Sequence, residues 1–418
     1  MESKAKSKRG NNVLSESDNM DITQKRLKLL ADDDTNQYKG FSLQHDEDRT
    51  HIPIEQAEKM PSKPFFDNYI AKRRPCILEG LSTLSATGSD IQDFLRTCTD
   101  GIVQVEHRPS KQQPFGQNRT ASQQFEMTLQ EFCSQLNTPS KGELLYLSTQ
   151  QGDESNDGPF QTTPCKELLQ NKFIPETVAH SGNLILHSVN LWMGNTKEGS
   201  SSGLHHDYHD NFYFLVQGRK RFRLFSPDCA PHMYTYGDIQ CIHENGRISY
   251  EGSEARADGV PLEVIQEQFD NDESDEDDEP EVILGMGFDY KDEDEESNDD
   301  RNNGEYDEKD DFDDVMGKDD NCETRPDNFS RIELDKSDND SHFPLFKTCR
   351  QVTMELKAGQ CLYLPAGWFH EVTSYGGEGE KASTHMAVNY WYHPPDALDN
   401  YEQPYADEYW KKQVSKSG

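Results

Sequence analysis

Alternation of apolar and polar positions recurs along most of the chain and predicts many short β-strands. Strand-like runs lie at 75–80, 102–106, 144–148, 184–193, 211–216, 219–225, 351–356, 361–364, 371–374 and 385–392. Helical spacing occurs early in the chain, at 65–71 and 129–136. Many short strands with few helices predict a mainly β fold, a jelly-roll barrel with N-terminal helical and strand additions.

The link between two of these runs predicts a hairpin. Gln217-Gly218-Arg219-Lys220 joins 211–216 to 219–225, and a two-residue turn suits such a connection. Lys220 would then point to the same face as Asn211, into the barrel. Because a buried lysine is costly without a partner, we expect that face to receive a negatively charged group such as a dicarboxylate.

Charge separates a globular part of the chain from two polar segments. The net charge is −36, and residues 270–340 alone hold 32 Asp and Glu against 7 Lys and Arg. Such a stretch cannot bury enough apolar surface to order itself, so 265–342 is predicted to be a disordered acidic insertion between two barrel strands. The polar residues 1–45 are predicted to be a disordered tail, which leaves 46–418 as one domain that the insertion interrupts.

Composition also restricts partners and compartment. The absence of an apolar run of about 18 residues argues against a membrane span, and the acidic balance argues against direct binding to nucleic acid. The acidic residues either keep the chain solvated or attract a basic protein partner. Nine cysteines without a CxxC pair argue against zinc fingers and disulfides, and therefore for the reducing cytoplasm or nucleus. Basic groups at 6–9 and 25–28 leave nuclear import open. An apolar patch at 282–290 is either a docking motif or a chance cluster, and a homodimer is left open.

The candidate site residues lie in the motif His205-His206-Asp207 and at His370, which is far downstream in the chain. Residues i and i+2 of a strand project to the same face, so His205 and Asp207 are expected to point together while His206 turns away. His370 follows a strand and a tight turn and would add a second imidazole. Two imidazoles and one carboxylate bind a ferrous ion on one face and leave positions open for a co-substrate and oxygen.

Longer motifs around these residues resemble a known family. The segments that carry the resemblance are 190–194, 204–213, 218–227, 362–370 and 387–392. They are similar to those of JmjC-domain, cupin-like oxygenases, above all the small JmjC-only protein hydroxylases of the lysyl-hydroxylase type and of the type called factor inhibiting HIF. The resemblance covers 60–264 and 343–395 and implies a double-stranded β-helix, the cupin form of the jelly roll.

The resemblance also implies cofactors and residue roles. The family uses Fe(II), with 2-oxoglutarate and O2 as co-substrates. The implied Fe(II) ligands are His205, Asp207 and His370. Lys220 would pair with the distal carboxylate of 2-oxoglutarate. Ser202, where threonine is common, and Tyr146 match hydroxyls that bind the same carboxylate in the family. Asn211 and Asn389 match polar positions that line the pocket near the co-substrate and the iron.

Three functions follow as hypotheses. The first is an Fe(II)- and 2-oxoglutarate-dependent dioxygenase that hydroxylates a protein side chain, with lysine favoured over asparagine. The second is a JmjC-type histone or protein lysine demethylase, because hydroxylation of an N-methyl carbon leads to demethylation; the small chain without a chromatin-reading zinc module argues against it. The third is a non-catalytic cupin scaffold with an acidic interaction arm, against which the intact ligand set and Lys220 argue.

Overall fold

The computed structural model describes residues 35–44, 51–81, 87–98, 101–108, 124–137, 144–148, 150, 162–196, 199–265, 325–337, 339–377 and 384–416. The strands in these ranges are β1 Ile54–Gln56, β2 Cys76–Glu79, β3 Ile102–Arg108, β4 Gln124–Thr128, β5 Leu144–Leu147, β6 Leu186–Asn195, β7 Ser200–Ser201, β8 Asp210–Gln217, β9 Arg219–Phe225, β10 Ile239–Ile242, β11 Ile248–Tyr250, β12 Val352–Lys357, β13 Cys361–Leu364, β14 Phe369–Tyr375 and β15 Thr384–Tyr392.

The helices in the same ranges are short. The α-helices are α1 Ser62–Phe65, α2 Gly88–Leu95, α3 Leu129–Asn137, α4 Cys165–Gln170, α5 Asn339–His342 and α6 Tyr409–Lys416. A π-helix, Phe66–Ile70, continues α1. Single 3-10 turns lie at Ala57–Lys59, Ala179–Ser181, Pro227–His232 and Phe346–Thr348. Among the described residues, no helix combines the length and the apolar composition needed to span a membrane.

Two sheets form the barrel. The larger has the order β1-β2-β13-β8-β15-β6-β5-β3-β4, and the smaller has the order β12-β9-β14-β7. Four strands of the large sheet (β6, β8, β13 and β15) and the four strands of the small sheet make up the double-stranded β-helix. The predicted mainly β jelly roll is therefore confirmed, with β1–β5 and α1–α4 as its N-terminal additions.

Alternation along the large sheet separates two cores. On β8, Tyr213 and Leu215 face inward and join an apolar cluster with Phe222 of the small sheet. Phe212 and Phe214 face outward and pack in a second cluster that includes residues of α1 and α3. Successive side chains of a strand point to opposite faces, so Asn211, two residues before Tyr213, also faces the lumen.

The predicted hairpin between β8 and β9 is wrong. β8 pairs with β13 and β15, whereas β9 pairs with β12 and β14, so the chain crosses from one sheet to the other at Gly218. This glycine has a φ of +86°, and a Cβ there would lie 2.5 Å from the carbonyl oxygen of Tyr375. A glycine turn indicates a reversal of the chain, but it does not determine whether the flanking strands pair.

The predicted disordered tail, 1–45, contains an ordered part. Residues 35–44 lie against the barrel: the Gln37 amide donates to the carbonyl of Ile242 over 2.9 Å, and Leu43 is buried. Backbone hydrogen bonds and one apolar anchor order this short polar segment. The rest of the tail prediction, including the basic groups 6–9 and 25–28, lies outside the described residues.

The boundary predicted for the acidic insertion, 265–342, is also wrong at its C-terminal end. Residues 325–337 are part of the fold, and the Ser330 amide donates to the carbonyl of Leu204 over 2.8 Å. Ile332 is fully buried in the apolar cluster around β10 and β11. Residues 325–337 were assigned to the insertion because they are also rich in charge. Their buried apolar side chains and backbone hydrogen bonds nevertheless order them. The disorder predicted for 266–324 and the patch 282–290 lie outside the described residues.

Candidate active site

Backbone pairing at the start of β14 brings His205 and His370 together. The His205 amide donates to the carbonyl of His370 over 3.0 Å, and the His370 amide donates to the carbonyl of His205 over 2.6 Å. The Oδ2 atom of Asp207 lies 3.8 Å from Nε2 of His370. One ligand atom from each of the three side chains lies within 4.8 Å of the other two. The structure therefore brings the three predicted metal ligands together.

Each imidazole is oriented by a hydrogen bond at its Nδ1 atom. Nδ1 of His205 lies 3.0 Å from the carbonyl oxygen of Gly203, and Nδ1 of His370 lies 2.9 Å from that of Trp368. Because a carbonyl only accepts, both Nδ1 atoms carry a proton, so the nitrogen of each ring that is available to a metal is Nε2. Burial, followed by the neighbouring His370, lowers the pKa of His205 to about 4, which favours the neutral form that binds metal.

A chain of amides holds the carboxylate of Asp207. Asn211 Nδ2 donates to Asp207 Oδ2 over 3.1 Å, and Asn389 Nδ2 donates to Asn211 Oδ1 over 3.1 Å. The indole of Trp192 donates to Asn389 Oδ1 over 2.8 Å. Such outer hydrogen bonds fix the direction of a metal ligand. The structure thus places both predicted asparagines beside the metal site, one in direct contact with a ligand.

A buried ion pair supports the loop that follows the carboxylate ligand. Arg73 Nη1 donates to Asp210 Oδ2 over 2.7 Å, and the amide of Ala366 donates to Asp210 Oδ1 over 3.0 Å. The Tyr363 hydroxyl donates to Oδ2 of the same carboxylate over 2.8 Å. Asp210 therefore ties this loop to the turn that precedes His370. Sequence reasoning missed Asp210, because Arg73 lies far away in the chain.

The middle residue of the His205-His206-Asp207 motif points away from the candidate metal ligands, as predicted. His206 is fully buried, and its Nε2 lies 2.7 Å from the Tyr250 hydroxyl. Its ring packs against Phe369, with 5.0 Å between ring centres. His206 therefore packs between Tyr250 and Phe369 and is not one of the candidate metal ligands.

The donor set fits a ferrous ion. Two imidazoles and one carboxylate on one side of a site leave its other positions for exogenous ligands. Within the described ranges, this is the one group of His, Cys, Asp and Glu side chains close enough to hold a metal. His205 and Asp207 are partly exposed, so the site can be reached from outside. Iron bound there would supply the activation of O2.

Lys220 points into the same lumen, farther along the barrel. It lies opposite Ser374, four residues beyond His370 on β14. The side chain is 1% exposed, and its Nζ atom lies 5.5 Å from the ring centre of Tyr213 and 5.8 Å from that of Tyr146. Burial lowers the pKa of Lys220 to about 7, and no described carboxylate lies close enough to oppose this shift. The lysine faces inward as predicted, although the predicted hairpin is absent.

Two more polar groups at this end of the lumen lack hydrogen-bond partners among the described residues. They are the hydroxyl of Ser200 and the Nδ1 atom of His385, both buried. Ser200, Ser374 and Lys220 form one row across β7, β14 and β9, and cross-strand neighbours project to the same face. Burial, and next the charge of Lys220, lowers the pKa of His385. Among the described residues, the lysine has no carboxylate close by and the hydroxyl and the imidazole nitrogen have no hydrogen-bond partner, so the three groups fit one end of an anionic ligand, such as a carboxylate.

Ser202 differs from the role that its sequence position implied. Its hydroxyl donates to the carbonyl of Gly203 over 2.9 Å and accepts from the amide of Val372 over 3.1 Å. Both hydrogen bonds tie it to the backbone, whereas the hydroxyl of Ser200 is unused. Sequence reasoning missed Ser200 and His385; their parity within β7 and β15 was the available signal.

Tyr146 borders the lysine end of the lumen. β5 pairs with β6 there and places Tyr146 opposite Gly194. A Cβ on Gly194 would lie 2.8 Å from Cδ2 of Tyr146, so the glycine leaves room for the ring. The ring centre lies 5.7 Å from that of His385. The structure therefore places this tyrosine beside Lys220, where the resemblance put it.

The fold and the site together define a jelly-roll protein with a candidate mononuclear metal centre. The model of the cupin-like domain family matches residues 62–398. The chain therefore belongs to the cupin-like family, and its relatives mark it as a member of the JmjC type.

Three relatives show how far the similarity extends. JmjC domain-containing protein 4 of Schizosaccharomyces pombe is 32% identical over 438 residues, covering 88% of this chain and 90% of that protein. JmjC domain-containing protein E of Dictyostelium discoideum is 24% identical, covering 81% and 83%. The tRNA wybutosine-synthesizing protein 4 of Gibberella zeae is 24% identical over 176 residues, 42% of this chain and 17% of that protein. JmjC proteins are generally Fe(II)- and 2-oxoglutarate-dependent oxygenases, and this chain has the His-Asp-His triad.

Proposed function

We propose that this protein is an Fe(II)- and 2-oxoglutarate-dependent dioxygenase that hydroxylates a side chain of another protein, with lysine favoured over asparagine. The observation that carries the proposal is Lys220: a buried lysine, with no carboxylate partner in the part of the chain that the structure describes, shares one lumen with His205, Asp207 and His370. A small dicarboxylate can bind the metal with one end and the lysine with the other. Burial of a lysine costs free energy, and a non-catalytic scaffold would have no use for a lysine at this position.

The reaction balances with these components. One 2-oxoglutarate, one O2 and one C–H bond of the substrate give succinate, CO2 and a C–OH group. The protein's part is to orient the imidazoles through Gly203 and Trp368, to hold the carboxylate of Asp207, and to neutralise the distal carboxylate with Lys220. Preorganised ligands direct the oxidation toward the bound side chain.

The end of the barrel away from Lys220 is the proposed entrance for the substrate. His393 follows β15 at that end, with its ring centre 5.2 Å from that of His187 and 5.7 Å from that of His209. Trp410 stacks on His393, with 3.4 Å between ring centres. Imidazole nitrogens can exchange hydrogen bonds with a polar side chain. Arg247 lies close enough to act on His209 and His393, so the preference for lysine rests on the family resemblance and not on this cluster.

The nature and location of the substrate are part of the same proposal. The acidic balance of the chain, −36 overall, supports a basic protein substrate through long-range attraction and opposes direct contact with nucleic acid phosphates. The cysteines among the described residues are free thiols, which supports a reducing compartment, cytoplasm or nucleus.

Turnover with a proteome extract tests the proposal. The full chain would be incubated with Fe(II), 2-oxoglutarate and peptides from a cell extract, beside a His205→Ala variant. We expect succinate from the wild-type protein and none above background from the variant. Equal succinate from both proteins, or none from either, would overturn the enzyme hypothesis.

Mass spectrometry of the modified peptides separates the hydroxylase from the demethylase. A hydroxylase adds the mass of one oxygen atom to an unmethylated lysine or to an asparagine. A demethylase removes one methylene from a methylated lysine and releases formaldehyde. We expect the added oxygen and no formaldehyde; the opposite pattern would favour the demethylase.

A further inference from the structure

The chain returns from the acidic stretch directly onto the metal site. Phe329 and His205 form a β-bridge, and the next residue, Ser330, donates its amide to the carbonyl of Leu204 over 2.8 Å. The segment 325–337 thus runs beside the strand-like stretch that carries the first metal ligand.

Asn328 fastens the segment on the other side of the bridge. The amide of His206 donates to the carbonyl of Asn328 over 3.3 Å, and the side-chain amide of Asn328 donates to the carbonyl of His206. Asn328 is buried. The backbone position of Phe329 is therefore fixed relative to His205 from both neighbouring residues.

The ring of Phe329 lies flat over the imidazole of His205. The ring centres are 4.8 Å apart and the planes differ by 11°. The His205 ring also contacts His370, with 4.3 Å between centres and 55° between planes. The hydrogen bond from Nδ1 to Gly203 restrains one edge of the imidazole, but the second torsion of histidine has a broad minimum. A parallel ring restrains the tilt that this hydrogen bond leaves free.

Packing does not account for this contact. The apolar cluster on this side of the barrel includes Tyr234 and, at its border, Phe343 and Phe346, whereas Phe329 does not belong to it. Phe329 is half-buried. Its principal described ring contact is a proposed metal ligand.

We propose that Phe329 is a positioning residue for the metal: it holds the plane of His205 so that Nε2 points at the site. This inference rests on the proposed metal site but not on the identity of the substrate or co-substrate. It assigns part of the metal centre to the segment that follows the acidic stretch, which the sequence had suggested was only an insertion.

Co(II) binding to the metal-free full chain tests this role, because cobalt absorption bands report ligand geometry. Restraints on a ligating histidine typically change metal affinity by about tenfold or more. We therefore expect Phe329→Ala to raise the Co(II) dissociation constant about tenfold and to alter the absorption bands. Phe329→Tyr keeps a flat ring and should restore both. Phe329→Leu keeps apolar volume without a plane and should restore neither fully.

Phe343→Ala is the matched control. Phe343 packs on Tyr234, with 5.0 Å between ring centres, and does not contact the metal ligands. It should lower the melting temperature without changing the cobalt bands. If Phe329→Ala unfolds, the leucine variant answers the same question.

The outcomes separate this inference from the proposed function. Wild-type affinity and wild-type bands in a folded Phe329→Ala or Phe329→Leu protein would overturn the positioning role alone. Failure of the wild-type protein to bind Co(II) would overturn both the metal site and the role of Phe329.

Discussion

Lys220 lies opposite Ser374, and Ser374 follows His370 by four residues on the same strand. Four residues of a strand span about 13 Å. The lysine and the metal ligands therefore lie at two levels of one lumen, and the long lysine side chain shortens the gap that a ligand must bridge. The site therefore has two ends, with the histidine and carboxylate side chains at one and Lys220 at the other.

Replacement of Lys220 tests the far end of the site. Lys220→Met should weaken 2-oxoglutarate binding to the Co(II)-loaded protein about 100-fold or more, because a bound carboxylate would lose its buried countercharge. Co(II) affinity itself should not change. Calorimetric titration measures both, and Lys357→Met, at an exposed position on β12, is the control. Unchanged 2-oxoglutarate affinity in Lys220→Met would place the co-substrate elsewhere.

The pH dependence of co-substrate affinity follows from the same residue. Burial lowers the pKa of Lys220 from 10.5 to about 7 in the ligand-free protein, so the side chain is increasingly neutral above pH 7. Binding a carboxylate then requires uptake of a proton. The dissociation constant of 2-oxoglutarate should be flat below pH 7 and rise up to about tenfold per pH unit above it. Calorimetry in buffers of different ionisation enthalpy would show the proton uptake.

The stability of the ligand-free protein should rise with pH, whereas the affinity for 2-oxoglutarate should fall. Because the folded pKa of Lys220 lies below the unfolded value, the unfolded chain binds more protons between pH 7 and pH 10.5. The contribution of Lys220 to the free energy of unfolding should therefore increase with pH in this window. Comparison with Lys220→Met by urea denaturation isolates it; a contribution that decreases across this window would contradict the assigned pKa.

Two neighbouring serines make opposite predictions. Ser200→Ala should weaken 2-oxoglutarate binding by roughly 1 kcal/mol, about fivefold, because it removes a hydroxyl available to the carboxylate. Ser202→Ala should leave that affinity within about twofold and lower stability by roughly 1 kcal/mol, because its hydroxyl bonds to Gly203 and Val372. Titration and thermal unfolding of both variants decide between the two positions. The reverse pattern would restore the role first implied for Ser202.

Removal of the amide beside Asp207 should loosen the metal. Asn211→Ala deletes the donor to Oδ2 of that carboxylate, and we expect Co(II) affinity to fall about tenfold. Asn183→Ala, at an exposed position, is the control. Equal Co(II) affinity in the two variants would show that Asp207 needs no such support.

Local patterns predicted most of the strands and the common direction of His205 and Asp207. Short-range alternation determined which residues of β8 and β15 face the lumen, and the spacing of His205 and Asp207 predicted that their side chains point to the same side. These features depend on neighbours in the chain, so the sequence displays them directly.

Features that depend on distant partners were not predictable in the same way. Gly218 reverses the chain, but the choice of sheet for β9 depends on β12 and β14, which lie more than a hundred residues later. Phe329 looked like part of an acidic insertion because charge dominated its surroundings. Its contact with His205 joins residues that are far apart in the chain, so it exists only in the folded barrel.

Absorption spectroscopy without oxygen tests the central claim most directly. The claim is that iron and 2-oxoglutarate bind together between His205 and Lys220. A visible charge-transfer band should appear only when Fe(II) and 2-oxoglutarate are both added to the full chain. It should be absent from His205→Ala and should need far more 2-oxoglutarate in Lys220→Met. Tight binding of both molecules to the folded wild-type protein without this band, or an undiminished band in His205→Ala, would contradict the account.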